Sequence, residues 1–126
     1  MTGRYRLLRT RAGITSFATV TVVSTPEQAL RISWDASLAD LQRIYGPFVQ
    51  EGVEAAFRQH LKLGGDPQAV RVTDLAETAV DTKPDAVRCA ASIAAWKSWG
   101  HSETEVTLTN DQGEWVVVFM AASGGE

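Results

Sequence analysis

The stretch D-T-K-P-D-A-V-R-C-A-A-S-I-A-A-W-K-S-W-G, residues 81–100, limits the possible folds more than any other part of the chain. Its spacing predicts a helix from the T-K-P-D turn to Trp99. Thr82 and Asp85 are placed for a capping box, Pro84 sits in the first turn where a missing N–H costs nothing, and Gly100 is the stop. Val87, Ala90, Ala91 and Ala94 share one face with Cys89, Ile93 and Trp96 beside them, while Asp85, Arg88 and Ser92 point away. A buried stripe made of alanine has little area to bury, so it is useful only if another element comes very close to the helix axis. Trp99 falls near the polar side, where it is either exposed or half-buried under a loop.

Around this helix the chain reads as alternating strands. Residues 5–11 and 16–23 are rich in β-branched and aromatic side chains and flank Ala12-Gly13, which predicts a hairpin. In the second strand Ala18, Val20 and Val22 form the expected core face, and Phe17, Thr19, Thr21 and Val23 the other. Leu30, Ile32 and Trp34 alternate with Arg31 and Ser33 in a third, half-buried strand over 29–34. A connecting loop or short helical turn over 35–46 is closed by Gly46 and Pro47. A helix is expected over 48–63, with Val49, Val53, Ala56, Phe57 and His60 or Leu61 inward and Gly64-Gly65 as its end. Residues 69–80 suggest a strand with Val70, Val72 and Asp74 on one face and pairing that ends near Leu75. Two last strands, 103–109 and 114–120, are joined by N-D-Q-G. The sum is an α+β two-layer sandwich: a mainly antiparallel sheet with two helices on one face, one domain over 1–126, and a disordered tail over 121–126.

Composition narrows the function. Twelve Lys and Arg against fifteen Asp and Glu give a net charge of -3, so a polyanion contact has to be local. The single cysteine, Cys89, allows no internal disulfide and no thiolate cage for zinc, which fits a reducing, cytoplasmic setting. No apolar run is long enough for a membrane span, and membrane partners are not expected.

The helix V-R-C-A-A-S-I-A-A-W and the upstream P-F-V-Q-E-G-V-E-A-A-F together resemble domain IV of bacterial elongation factor G. Val49, Glu51, Gly52 and Val53 match the start of that domain's first helix, and the similarity extends over about residues 15–120. The resemblance implies the two-layer fold which that domain shares with a small-subunit ribosomal protein, and a non-catalytic binding module associated with translation, the ribosome or RNA. It also implies working loops at one tip. Here these would be 35–45, with Asp35, Asp40 and Arg43, and 77–84, with Glu77, Thr78, Asp81 and Lys83; their charge is acidic on balance.

The N-terminal R-Y-R-L-L-R-T-R is the best electropositive element. A strand there puts Arg4 and Arg6 on one side and Arg9 and Arg11 on the other; either its charges protect a solvated edge strand, or the sheet face contacts RNA with Tyr5 stacking on a base. An exposed Trp99 could instead anchor a protein partner or a second copy of the chain. No enzyme is expected. There is no G-x-x-x-x-G-K-[ST] for GTP and no G-x-S-x-G, and Ser92 lies within a helix. The acidic residues Asp74, Glu77, Asp81 and Asp85 read as a solvated tip rather than an acid/base pair. His60 and His101 lack the spacing for a metal site, and a buried Cys89 is a poor nucleophile. No cofactor is expected.

Overall fold

The computed structural model describes residues 1–120, and the tail expected over 121–126 lies outside the described residues. Strands β1 (Thr2–Arg11), β2 (Ile14–Pro26) and β3 (Arg31–Trp34) are followed by helix α1 (Ala39–Lys62), strand β4 (Gln68–Ala76), helix α2 (Pro84–Ser98), and strands β5 (Val106–Asp111) and β6 (Glu114–Phe119). Short 3-10 turns at Ala36–Leu38 and Glu103–Glu105 lead into α1 and β5.

One sheet has the order β1-β2-β4-β3, with β3 parallel to β4 and the other neighbours antiparallel; β5 and β6 form a separate two-stranded sheet. The α+β class is therefore as expected, with a mixed sheet and a detached hairpin. Both hairpins turn on two residues with positive φ, Ala12-Gly13 (53° and 80°) and Gln112-Gly113 (54° and 90°), whose twist suits the flanking strands.

Helix α2 is buried on every side. All of its fifteen residues except Pro84, Arg88 and Lys97 are buried. The sheet lies on one side of it, α1 on a second and the β5–β6 hairpin on a third. This is why alanine recurs along it. A Cβ on Gly3 of β1 would overlap the Ala94 carbonyl oxygen, and one on Gly52 of α1 would overlap that of Arg88. Backbone therefore meets backbone from two directions, and only small residues allow it. The same enclosure corrects the expectation that Asp85 and Ser92 point away: they are 9% and 2% exposed.

No capping box forms at the start of α2. Lys83 is the N-cap, without a side-chain bond. Thr82 Oγ1 instead donates to the Phe17 carbonyl at 2.7 Å and accepts from Thr78 N at 2.8 Å. Asp85 accepts from Ala86 N at 2.9 Å and, through its second oxygen, from Trp115 N at 2.9 Å, fastening β6 to the helix.

Helix α1 begins earlier than the Gly46-Pro47 signal suggests and carries Pro47 inside it. The missing N–H removes one ladder bond. Leu41, Tyr45 and Val49 stand four residues apart on the core side, and the Tyr45 hydroxyl donates to Glu77 Oε1 at 2.6 Å, so tertiary packing carries the helix through the proline. At its far end His60 is buried (4%) and Leu61 exposed (44%). In β4 a register shift pairs Thr21 with Asp74 but Val22 with Val72. The extra residue changes the phase, so Leu75, and not Asp74, joins Val70 and Val72 in the core.

Candidate nucleic-acid interface

Because both helices and the β5–β6 hairpin lie on one side of the four-stranded sheet, the opposite side of that sheet is uncovered. The strand register places Arg4 beside Thr21, Arg6 beside Thr19, Leu8 beside Phe17 and Thr10 beside Thr15 on this open side. Farther across, Val23 adjoins Arg71, and Arg71 adjoins Ser33. The result is a face of arginine, threonine, exposed Leu8 and one half-buried aromatic ring, in which Thr19 is itself buried (3%). The Arg6 guanidinium sits over the Phe17 ring, 5.8 Å from its centroid, and the Thr10 and Thr15 hydroxyls are hydrogen-bonded at 3.2 Å.

The arginines on this side are not equivalent. Arg71 donates to Asp35 Oδ1 at 2.8 Å, and Arg31 approaches Glu27 at 3.6 Å. Among the described residues neither Arg4 nor Arg6 has a carboxylate partner; Asp74 lies one strand farther across, beside Thr21. Their charge is available to an incoming anion.

The strand register runs unbroken through the N-terminal strand, with Arg9 opposite Ser16 and Arg11 opposite Ile14, out of phase with Arg4 and Arg6 as expected. Arg4 and Arg6 lie on the open face, whereas Arg9 reaches back to donate to the Tyr5 hydroxyl at 3.2 Å. Arg11 lies at the hairpin end, close to Asn110 and Trp115. Tyr5 is corrected: it is 7% exposed and packs in the core, where burial raises its phenol pKa above the ordinary value despite Arg9, so it cannot stack on a base. Phe17 is the ring that the sheet does present. Its signal was the alternation of β2, which puts Phe17 on the non-core side.

Trp99 is corrected too. It is 9% exposed, its ring stacks on His60 at 4.9 Å, and Phe57 meets it edge-on at 5.8 Å. It is a core residue and no anchor for a partner.

The two segments expected at a tip do lie at one end of the molecule, since parallel β3 and β4 both finish there and the β1–β2 turn is at the same end. They are not two open loops. Asp40 and Arg43 are on α1 and bond to each other at 3.1 Å, Asp35 is held by Arg71, and Glu77 accepts from Tyr45. Only the second segment is a loop. Thr78 Oγ1 accepts from Asp81 N at 3.0 Å, and the Asp81 carbonyl accepts from Phe17 N at 3.0 Å, which ties this loop to the edge of the open face. Lys83 ends it as the N-cap of α2.

The two imidazoles, far apart in sequence, meet. His60 Nδ1 and His101 Nε2 are 2.8 Å apart, and His60 Nε2 lies 2.9 Å from the Asp66 carbonyl. A carbonyl only accepts, so neutral His60 carries its proton on Nε2 and accepts at Nδ1 from His101. Trp96 stacks on His101 at 3.9 Å. Burial and the neighbouring His60 lower the His101 pKa below its ordinary value, although Glu105 opposes this. Among the described residues no three His, Cys, Asp or Glu are grouped to hold a metal ion. Cys89 is buried, its Sγ donates to the Trp115 carbonyl at 3.3 Å, and burial pushes its thiol up to about 12.

These elements define a small α+β domain with a mixed four-stranded sheet open on one side. Among solved structures, the crystal structure of a Thermus thermophilus protein is similar to it, with a TM-score of 0.66 and 21% sequence identity over 76% of this chain. The matched part is 15% of that protein's length, so the likeness is to one portion of a much larger chain and concerns the fold alone. No family model matches the sequence, and no curated protein matches it. No helix among the described residues is long and apolar enough to cross a membrane.

Proposed function

We propose that this chain is a non-catalytic RNA-binding module that works with the ribosome, and that its contact surface is the open side of the four-stranded sheet. The observation that carries this reading is the pair of unpaired guanidinium groups, Arg4 and Arg6, set beside half-buried Phe17 and the accessible threonines Thr10, Thr15 and Thr21. Phosphates are met by the arginines, a base stacks on the Phe17–Arg6 pair, and the threonine hydroxyls serve sugar or phosphate oxygens. The resemblance of the A-A-S-I-A-A and G-V-E segments to domain IV of elongation factor G supports the association with translation. The net charge of -3 restricts binding to this local patch.

The test is co-sedimentation with small ribosomal subunits, together with fluorescence anisotropy on a labelled single-stranded RNA, over a range of salt. Charge reversal at Arg4 and Arg6 (R4E/R6E) should abolish binding, whereas reversal at Arg9 and Arg11 (R9E/R11E) should largely spare it. For single strands, each lost phosphate contact lowers the log–log salt slope by about 0.7. The proposal fails if the unaltered protein does not bind at low salt, or if both double variants lose binding equally.

A further inference from the structure

A cleft of about 290 Å³ opens on the helical side of the molecule, between α1, α2 and β6, well away from the open sheet face. It is just below the range for drug-sized ligand pockets, roughly 300–1,000 Å³, which suits a small ligand. Three independent features of its lining are unfinished.

The first is Ser92. Its side chain is 2% exposed, and its hydroxyl has no hydrogen-bond partner. A buried hydroxyl left unmatched costs about 1–3 kcal/mol, and Ser92 is one of the residues lining the cleft, with its oxygen shielded from solvent. The second is Arg58. Arg88, also on the wall, is engaged by Glu114 at 3.5 Å, by Glu51 at 4.0 Å and by the Trp115 carbonyl at 3.1 Å, which uses both acids of the cleft. Arg58, exposed on α1 across from β6, has no ion-pair partner among the described residues. The third is the edge of β6. Asp111 and Glu114 flank the two-residue turn, and Met120 N donates to the Glu105 carbonyl at 2.8 Å, so even-numbered residues of β6 bond inward to β5. Trp115, Val117 and Phe119 therefore aim their amides and carbonyls outward. Those of Trp115 are taken by Asp85, Arg88 and Cys89, whereas Val117 and Phe119, both lining residues of the cleft, have no such side-chain partners among the described residues.

From these we infer that the cleft binds an N-acylated amino-acid carboxylate with an apolar side chain, the chemistry of a peptide C-terminus. The carboxylate pairs with Arg58, which offers a planar two-donor fork. The acyl amide runs along β6 as a short added strand, exchanging hydrogen bonds with Val117 or Phe119. Ser92, on turning its hydroxyl toward the cleft, donates to a ligand oxygen, and Val117, Phe119 and Ala55 receive the side chain. The protonated Cys89 thiol leaves the floor uncharged.

Amide NMR spectra of the full chain, titrated with N-acetyl-leucine, N-acetyl-leucinamide and an acetylated tripeptide ending in a free leucine carboxylate, test the inference. N-acetyl-leucine should give saturable shifts at Val117, Phe119, Ser92 and Arg58. The amide, which lacks the charge, should bind about tenfold more weakly or worse. R58Q, an exposed change that leaves the fold intact, should weaken the carboxylate by a similar factor and remove the preference over the amide. S92A should weaken both probes. Tighter binding of the tripeptide than of N-acetyl-leucine identifies a peptide terminus as the source, and the reverse identifies a free N-acyl amino acid. Absence of saturable shifts with both carboxylates, or equal affinity for acid and amide, overturns the inference. Neither outcome bears on RNA binding, which uses the other face.

Discussion

Replacing Gly52 by alanine sets two physical effects against each other, and the structure decides between them. Within a helix, Gly to Ala is favourable by about 1 kcal/mol, because glycine loses more backbone freedom on folding. Gly52 lies in α1 with an ordinary helical backbone, so this gain applies in full. Its missing side chain, however, faces α2. An added Cβ would overlap the Arg88 carbonyl oxygen, stand 3.0 Å from the carbonyl carbon of Arg88 and 3.2 Å from Ser92 N. All three are backbone atoms of a helix enclosed by the sheet and the β5–β6 hairpin, so no rotamer change relieves the overlap. The two helices must separate by something near 1 Å, and a gap of that size forfeits about a quarter to a half of the dispersion energy at each contact along the seam. Val49, Val53 and Ala56 from α1 are all fully buried and would share that loss. Overpacking of this kind costs about 1–3 kcal/mol, and the absence of any flexible neighbour puts this case at or above the upper end. The net expectation is a loss of about 2 kcal/mol. Gly46, in the same helix, is the comparison: beyond its chain neighbours an added Cβ meets only the Gln42 side chain at 3.8 Å, but the Pro47 ring crowds a Cβ on the helical residue before it, which offsets the propensity gain, so G46A should change stability by less than about 1 kcal/mol. Urea unfolding followed by tryptophan fluorescence reads both, with the m-value checked for constancy. If G52A is as stable as the parent, the helices do not meet backbone to backbone and the reason given for the alanine stripe is wrong.

Two further expectations concern titratable groups. The His101 pKa is depressed in the folded protein, so the unfolded chain binds more protons below its ordinary value of 6.5; stability should hold above that pH and fall as pH drops through it. Thermal unfolding between neutral and mildly acidic pH should show this fall, and H101Q should flatten it; an unchanged pH profile in H101Q would assign the effect elsewhere. Cys89, with its thiol pushed up to about 12, should not react with a disulfide reagent at pH 8 until denaturant is added, and labelling at the rate of a free thiol would contradict its burial.

Where one local rule dominated, the sequence was readable. The alternation of Ala18, Val20 and Val22, the Ala12-Gly13 and Gln112-Gly113 turns, Pro84 at the start of α2 and Gly100 after it (φ 89°) all appear as local chemistry requires. The misreadings share a cause, which is competition from distant parts of the chain. Gly46-Pro47 is a strong breaker, but the packing of Leu41, Tyr45 and Val49 outweighs one lost hydrogen bond. Asp85 and Ser92 looked solvent-facing because an amphipathic reading assumes one wet side, and α2 has none. Trp99 followed from the same assumption. In the candidate interface, strand parity separated Arg4 and Arg6 from the arginines that follow, and it put Phe17 outward. The same parity placed Tyr5 opposite Arg4 and Arg6, a consequence that the aromatic character of the ring obscured. The cleft was not legible, since Arg58, Ser92 and Val117 become neighbours only through the docking of β6 on α2.

The enclosure of α2 also bears on where any function can lie. A helix of alanines contributes little apolar area by itself, so it must be surrounded to be stable, and here the sheet, α1 and the hairpin surround it. Placing all three around one axis puts every covering element on the same side of the sheet. The opposite side is left bare as a consequence, and its threonines and arginines make it tolerable in water without a partner. The hairpin that completes the enclosure has only two strands and leaves β6 with an open edge against α1. A single packing requirement, read from A-A-S-I-A-A, thus accounts for both surfaces proposed to receive a ligand. It also separates them, so that substitutions at Arg4 and Arg6 and at Arg58 and Ser92 should act independently.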